Sequence, residues 1–399
     1  MIRVRLCLIA LGCAVGGWVA FTGTGSALAP IPKERTTPYV KWSVTSDHFT
    51  NEMLNPLVVK EFVVVGTNQG ELRAYRTGNG EPVWTYQHGS RLFHKLSSDG
   101  ERVYFSAHGG LTAVTADAGE KVWAVNLVQG EGPVLALPEK GLVLIADNDG
   151  TLHALEAKTG KKRWDAEFLT DAPAVPPMFG GKRLHISNDK AFPTCLVNDG
   201  EMVILSVFDQ CRIVSFNVAS GKKLWSFQTS GCVYGEAVAT SNHVFIGSQD
   251  EAFYCLDKKT GKQVWKFVTK ARVASGGVVD DRYVYFGSCD GGLYCLSQAD
   301  GKLRWRFEAD RFPDGSNSAI YSVPVLRQGT LYFAAGEGQF YAVAADSGAL
   351  RWKLRPAAKS EMYCSPATDG RSYFVTTRPG RGLAGEQPGV SMLAAISLR

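Results

Sequence analysis

No two cysteines are adjacent in this chain, and no pair has the C-x-x-C spacing. Cys7 and Cys13 fall in an N-terminal apolar segment, and the seven that remain are an odd number. A regular disulfide framework is therefore excluded, although individual bridges stay open in an exported chain. His48, His88, His108, His153, His185 and His243 show no metal-ligand spacing. There is no Gly-x-Ser-x-Gly elbow and no phosphate loop, which removes two common enzyme signatures. Helical periodicity is missing as well, which excludes a βα solenoid. The formal net charge of +5 includes Arg3 and Arg5, and residues 1–29 hold no acidic residue. The remaining surplus is too small and too evenly spread for a nucleic-acid footprint.

The abundant features tell more. Glycine occurs 43 times in 399 residues, against roughly 28 at average usage. With 11% aromatic residues, this points to many tight turns between short strands. At the N-terminus, two arginines precede an uncharged stretch from Leu6 to Pro32, and Ala27-Leu28-Ala29 has the small-x-small form of a cleavage site. Residues 1–29 are expected to be a secretory signal peptide or a membrane anchor, with 30–38 as a short linker. Ala10-Leu11-Gly12-Cys13 also has the outline of a lipid-attachment box. The expected location is the periplasm or cell envelope, with membrane association through the N-terminus. No later stretch is apolar enough to span a bilayer.

The tryptophans decide the fold. Trp84, Trp123, Trp164, Trp225, Trp265, Trp305 and Trp352 each follow a glycine by four residues. Their spacings are 39, 41, 61, 40, 40 and 47 residues, a period that signals a propeller or solenoid. Within one period, Tyr283–Phe286, Leu293–Leu296 and Leu303–Phe307 read as strands separated by Gly/Asp turns, and Val273–Val279 supplies an inner strand. Four short strands per 40 residues is a propeller blade. Trp42, in Val40–Val44, is the eighth such tryptophan, and the other three strands of its blade lie at Cys364–Thr368, Ser372–Thr376 and Val390–Leu398. The fold class is therefore an all-β, eight-bladed β-propeller over 39–399, monomeric, with the N-terminal strand closing the C-terminal blade. The eight tryptophans are expected between blades, a structural position.

The pattern L-Y-A-L-D-x-x-T-G-x-x-x-W is nearly complete in Phe253–Trp265 and Leu152–Trp164. It resembles the pyrroloquinoline-quinone-type propeller repeat, across the whole chain from Tyr39. That resemblance implies one of two branches: quinoprotein dehydrogenases with a calcium-held quinone, or non-catalytic propellers such as the BamB-like scaffolds of outer-membrane assembly. The missing Cys-Cys pair and the near-minimal repeats resemble the second branch. The reading is then a non-enzymatic scaffold for a protein partner in the cell envelope, with no nucleic acid and no cofactor expected. Pyrroloquinoline quinone and calcium belong only to the alternative, an oxidoreductase or quinone-binding propeller.

Departures from the minimal repeat mark candidate sites. The 61-residue interval holds extra sequence at Thr170–Pro193, in which Thr170–Ser187 reads as a strand pair forming a hairpin or long loop. Met178, Phe179, Lys182, Arg183 and Phe192 are its expected partner-binding residues, apolar anchors beside charge. Arg378–Gly389 and Asp310–Asn317 are two further irregularities. His94 falls where the inner strand of its blade should run, aligned with Tyr234, Ser275, Ser322 and Cys364, and Glu236 sits where other blades have Pro324 or Pro366. His94, Tyr234, Glu236, Ser275 and Ser322 are expected to line the channel. Asp149, Asp250, Asp290 and Asp257 read as turn residues, and Cys255 and Cys295 as small buried fillers in the position of Ala74, Ala113, Ala154 and Ala342.

Overall fold

A computed structural model describes residues 37–46, 55–67, 69–92, 94–127, 130–169, 178–179, 182–183, 191–380 and 391–398. The leader, Cys13, most of the Thr170–Pro193 insert and the Arg381–Gly389 part of the loop lie outside them. The described strands form eight antiparallel blades, numbered here 1 to 8 by Trp84, Trp123, Trp164, Trp225, Trp265, Trp305, Trp352 and Trp42. Blade 5 is representative, with strands Val238–Ala239, His243–Gly247, Ala252–Asp257 and Gln263–Val268 paired in chain order. Blade 8 takes its outermost strand from Pro38–Thr45, which pairs with Met392–Leu398. The ring is closed by the N-terminal strand.

Burial follows from this packing. Middle strands such as Phe62–Gly66 and Met202–Val207 are buried at every residue, because blades cover both of their faces. Outer strands alternate. In Gln263–Val268 only Trp265 and Phe267 turn partly inward. Each outer strand carries the same irregularity: the pairing register slips at the residue before the tryptophan, from Val83 and Val122 through to Arg351 and, in blade 8, Lys41. This bulge places the indole across a small residue of the third strand: Ala74, Ala113, Ala154, Ser215, Cys255, Cys295, Ala342 or Ala395. Cys255 and Cys295 are fully buried at that position, where bulk would displace the ring.

The tryptophans do join the blades, and each uses its neighbour's glycine. Seven of them donate their indole N–H to a carbonyl of the next blade at 2.8–3.1 Å, from Trp42 onto Thr77 round to Trp305 onto Ala345. Three residues after each accepting carbonyl stands the glycine of that blade's own Gly-x-x-x-Trp. Its φ is positive, and a Cβ there would lie 2.5–2.9 Å from the visiting ring. The glycine and tryptophan that are neighbours in sequence thus serve different interfaces. Trp352 packs against a cluster that includes Ala394 and Ile396 of blade 8.

Topology sets the faces. Every connection from an outer strand to the next inner strand lies at one end of the ring, together with the turns between second and third strands. The strands that flank the insert, Lys162–Glu167 and Pro193–Asp199, end and begin on this face. Asp310–Asn317, between Leu303–Glu308 and Val325–Arg327, shares it. Ser372–Pro379 ends and Met392–Leu398 begins there too.

Candidate functional site at the channel mouth

On that same face a cavity of about 440 Å³ opens at the centre of the ring. Its wall is built from residues just ahead of the inner strands and from second-to-third-strand turns. Adjacent inner segments approach closely there. A Cβ on Gly235 would lie 2.4 Å from Ser275 O, and one on Gly276 would lie 2.9 Å from Glu236 O. Only glycine permits this crowding of backbones around the axis.

One side of the cavity is aromatic. His94, Phe208 and Tyr234 line it, and Phe192 stands behind them, so that His94, Phe192, Phe208 and Tyr234 follow one another with ring centroids 6.3, 6.1 and 5.9 Å apart. Phe192, 39% exposed, is anchored by its backbone N–H, which donates to Asp209 Oδ1 at 2.8 Å. His94 is buried, and the loss of solvation pulls its pKa down to about 4, so it is neutral at pH 7. Burial likewise pushes Tyr234 up to about 12.

The other side is cationic. Arg272 Nη2 donates to Tyr321 Oη at 3.2 Å, and Tyr321 packs on Tyr363 at 5.3 Å. Arg378 lies over the Tyr363 ring at 4.1 Å. Glu361, almost wholly buried, holds this arrangement. Its Oε2 accepts from Arg378 Nη2 at 2.9 Å and from Tyr363 Oη at 3.0 Å. Between the two sides, Lys95 ahead of blade 2 forms an ion pair with Glu236 ahead of blade 5. Burial among the channel walls lowers the Lys95 pKa.

The structure brings His94, Tyr234 and Glu236 to this cavity. Ser275 and Ser322 are not among its lining residues, contrary to their alignment with His94. Both are buried, and each hydroxyl clips its segment to its own blade's second strand: Ser275 Oγ to Gly287, Ser322 Oγ to Ala334, each through N–H and C=O. Cys364 does the same with Thr376. A small polar residue there sews strands together and faces away from the cavity. Tyr321 and Tyr363, one position earlier, face it instead. The signal for them was the repeated Tyr before the aligned Ser322 and Cys364. Arg272 and Lys95 had no sequence signal, because their positions fall in irregular connections. In the insert, Met178–Phe179 pairs with Lys182–Arg183 as a separate two-stranded sheet. The turn aspartates bond locally: Asp250 and Asp290 each accept a backbone N–H two residues on and a tyrosine hydroxyl four residues on, and Asp257 accepts from Thr260.

Calcium requires a convergent set of oxygen donors. Among the described residues no group of three or more His, Cys, Asp or Glu is placed to hold a metal, and at the cavity Glu236 and Glu361 are each engaged with a cation. The described residues do not fit a calcium-held cofactor.

A family model described as outer membrane protein assembly factor BamB matches residues 34–123, 107–233, 210–352 and 315–387. The chain belongs to this family. The BamB of Burkholderia pseudomallei (strain K96243) is 26% identical over 227 residues, covering 56% of this chain and 55% of that protein. The match thus spans about half the length of that relative. The crystal structure of BamB from Moraxella catarrhalis superposes with a TM-score of 0.66 at 16% identity, covering 91% of this chain and 98% of the other. A quinohemoprotein alcohol dehydrogenase from Pseudomonas putida HK5 superposes equally well, at 0.66 and 15% identity, covering 90% and 76%. At such identities the likeness is one of fold, shared by family members and dehydrogenases alike.

Proposed function

We propose that this chain is an exported, non-enzymatic propeller that binds a protein partner in outer-membrane or cell-envelope assembly, through the face that carries the cavity. Family membership along nearly the whole propeller supports the assembly role. The observation that carries the choice of face is convergence: the strand ends that flank the insert and the Arg378 loop, the Asp310–Asn317 connection and the Arg/Tyr-lined cavity all occupy one end of the ring. Rigid blades spend their apolar residues on one another, so loops on one face are left to bind. Aromatic and arginine side chains around a recess are the residue types that anchor protein interfaces.

Two variants test this. Arg272→Ala removes a cation that forms no ion pair among the described residues, and the double variant Phe179→Ala/Arg183→Ala alters the insert. Each is expected to weaken capture of an envelope partner from detergent-solubilised membranes at least tenfold, with the melting temperature nearly unchanged. Unchanged capture by both would move the site off this face. Saturable binding of pyrroloquinoline quinone and calcium in the visible spectrum, with dye-linked alcohol oxidation, would overturn the non-enzymatic reading.

A further inference from the structure

The cavity face also holds two thiols that partner binding does not use. Cys211 lies in the turn between Met202–Val207 and Arg212–Asn217 of blade 4, and Cys232 lies in the connection leading to Val238–Ala239 of blade 5. Both are buried, and their Sγ atoms are 3.7 Å apart. Cys211 has φ +50°, a left-handed conformation that an L residue keeps only where its surroundings hold it. They do hold it. Its N–H donates to Phe208 O at 3.0 Å, and its carbonyl accepts from Thr229 N at 2.8 Å and from Thr229 Oγ1 at 2.6 Å. The Cys232 carbonyl accepts from Gln249 N at 2.9 Å, and Gln249 lines the cavity. Two fixed backbone segments therefore present their thiols to each other. Cys255 and Cys295 sit instead beneath tryptophans, and Cys195 and Cys364 bond to carbonyls.

We infer that Cys211 and Cys232 form the redox pair of this protein and close to a disulfide in an oxidising compartment. Each thiol gives up its proton and one Sγ–Sγ bond forms. The two electrons pass to a disulfide oxidant such as oxidised glutathione, whose own S–S bond breaks to give two thiols. The sulfurs need to approach from 3.7 Å to about 2.05 Å, within the reach of side-chain rotation. Because both sulfurs are buried, an oxidant meets them during folding or local opening, not in the closed native state. The bond ties a turn of blade 4 to the approach to blade 5 and fixes the Gln249 wall of the cavity. It depends on no assignment of partner.

The full chain is to be refolded in a glutathione redox buffer, denatured, alkylated and mapped by mass spectrometry. Two fewer alkylated thiols than in the reduced chain are expected, with the cross-link mapped to Cys211 and Cys232. The melting temperature is expected to fall on reduction, and to lose its dependence on reductant in the Cys211→Ala/Cys232→Ala variant. Full alkylation after oxidative refolding, or a cross-link at another pair, overturns the inference. The mapping on the unaltered chain decides even if the variant fails to fold.

Discussion

Glu337 occupies the turn position that Asp250 and Asp290 hold in the preceding blades, and like them it accepts a tyrosine hydroxyl four residues on. Tyr341 Oη donates to it at 2.5 Å, and Ser318 Oγ donates to its other oxygen. Asp290 remains below the ordinary carboxylate range because Tyr294, two backbone N–H groups and Arg306 together outweigh its burial. At Glu337 burial wins, assisted by the charge of Asp310, and the pKa rises to about 7. The native state therefore holds this proton more firmly than the unfolded chain does. The resulting stability is complete below about pH 4.5 and is lost as pH rises through about 7. Glu337→Gln removes the ionisation and offers the Tyr341 and Ser318 hydroxyls one acceptor oxygen and one NH2 donor in place of two acceptors. It should remove on the order of 2 kcal/mol of decline between pH 5 and 8. Urea unfolding across that range is the check, and a slope unchanged by the variant would place the titration elsewhere. His153 contributes with the same sign. Burial opposes its protonation, but hydrogen bonds and charge from Asp147 and Asp165 more than compensate, so its pKa is raised. Its share is present below about pH 6.5 and is lost above its native value.

At the level of the element, the repeat was legible because each blade makes the same demands: a glycine-initiated turn, an outer tryptophan, and a small residue opposite it. Blade count, the four-strand pattern and ring closure all follow from that period. The sharing of Gly and Trp between neighbouring blades was not legible, since spacing within a repeat cannot show which interface a residue serves. The cavity was only half legible. His94, Tyr234 and Glu236 could be aligned with the inner strands of other blades, whereas Ser275 and Ser322 aligned equally well and face the other way. A strand's two faces differ by one residue, and alignment of irregular segments does not resolve that step. The interlock itself predicts a coupling. Gly261→Ala puts a methyl group 2.6 Å from the Trp225 ring of the preceding blade, at φ +69°. Backbone strain and the clash should together cost about 2–4 kcal/mol in denaturant unfolding. In a Trp225→Ala background only the strain term remains, so the same glycine change should cost about 1 kcal/mol. Equal costs in both backgrounds would mean that the ring and the glycine do not meet.

For the whole molecule, the central problem of a propeller is its seam. Seven blades are built from continuous chain and need no special device. Blade 8 joins Ala367–Thr368, Ser372–Pro379 and Met392–Leu398 to a strand more than 300 residues away in sequence. Closing so long a loop costs only slightly more than closing a shorter one, because the entropy grows with the logarithm of length. The return is large. Pro38–Thr45 pairs from Pro38 against Leu398 to Thr45 against Met392 with a single slip at Lys41, and Trp42 donates to Thr77 of blade 1 at 3.0 Å. One strand thus completes a sheet and supplies the eighth-to-first blade contact. Its loss would expose the buried strand Met392–Leu398 as an apolar edge, with none of the lysines and arginines that the outer strands of blades 2 to 7 carry. Deleting Tyr39–Ser43 should therefore lower the melting temperature and produce concentration-dependent aggregates, absent from the unaltered chain, in size-exclusion chromatography with light scattering. Trp42→Ala keeps the strand pairing but removes the ring's contacts with blade 1 and with Phe374, so it should lower stability by about 3 kcal/mol without promoting aggregation. The two variants separate the seam's two jobs, pairing and docking. A truncated chain that remains a monomer of unchanged stability would show that blade 8 is complete with three strands and that the ring does not depend on this closure.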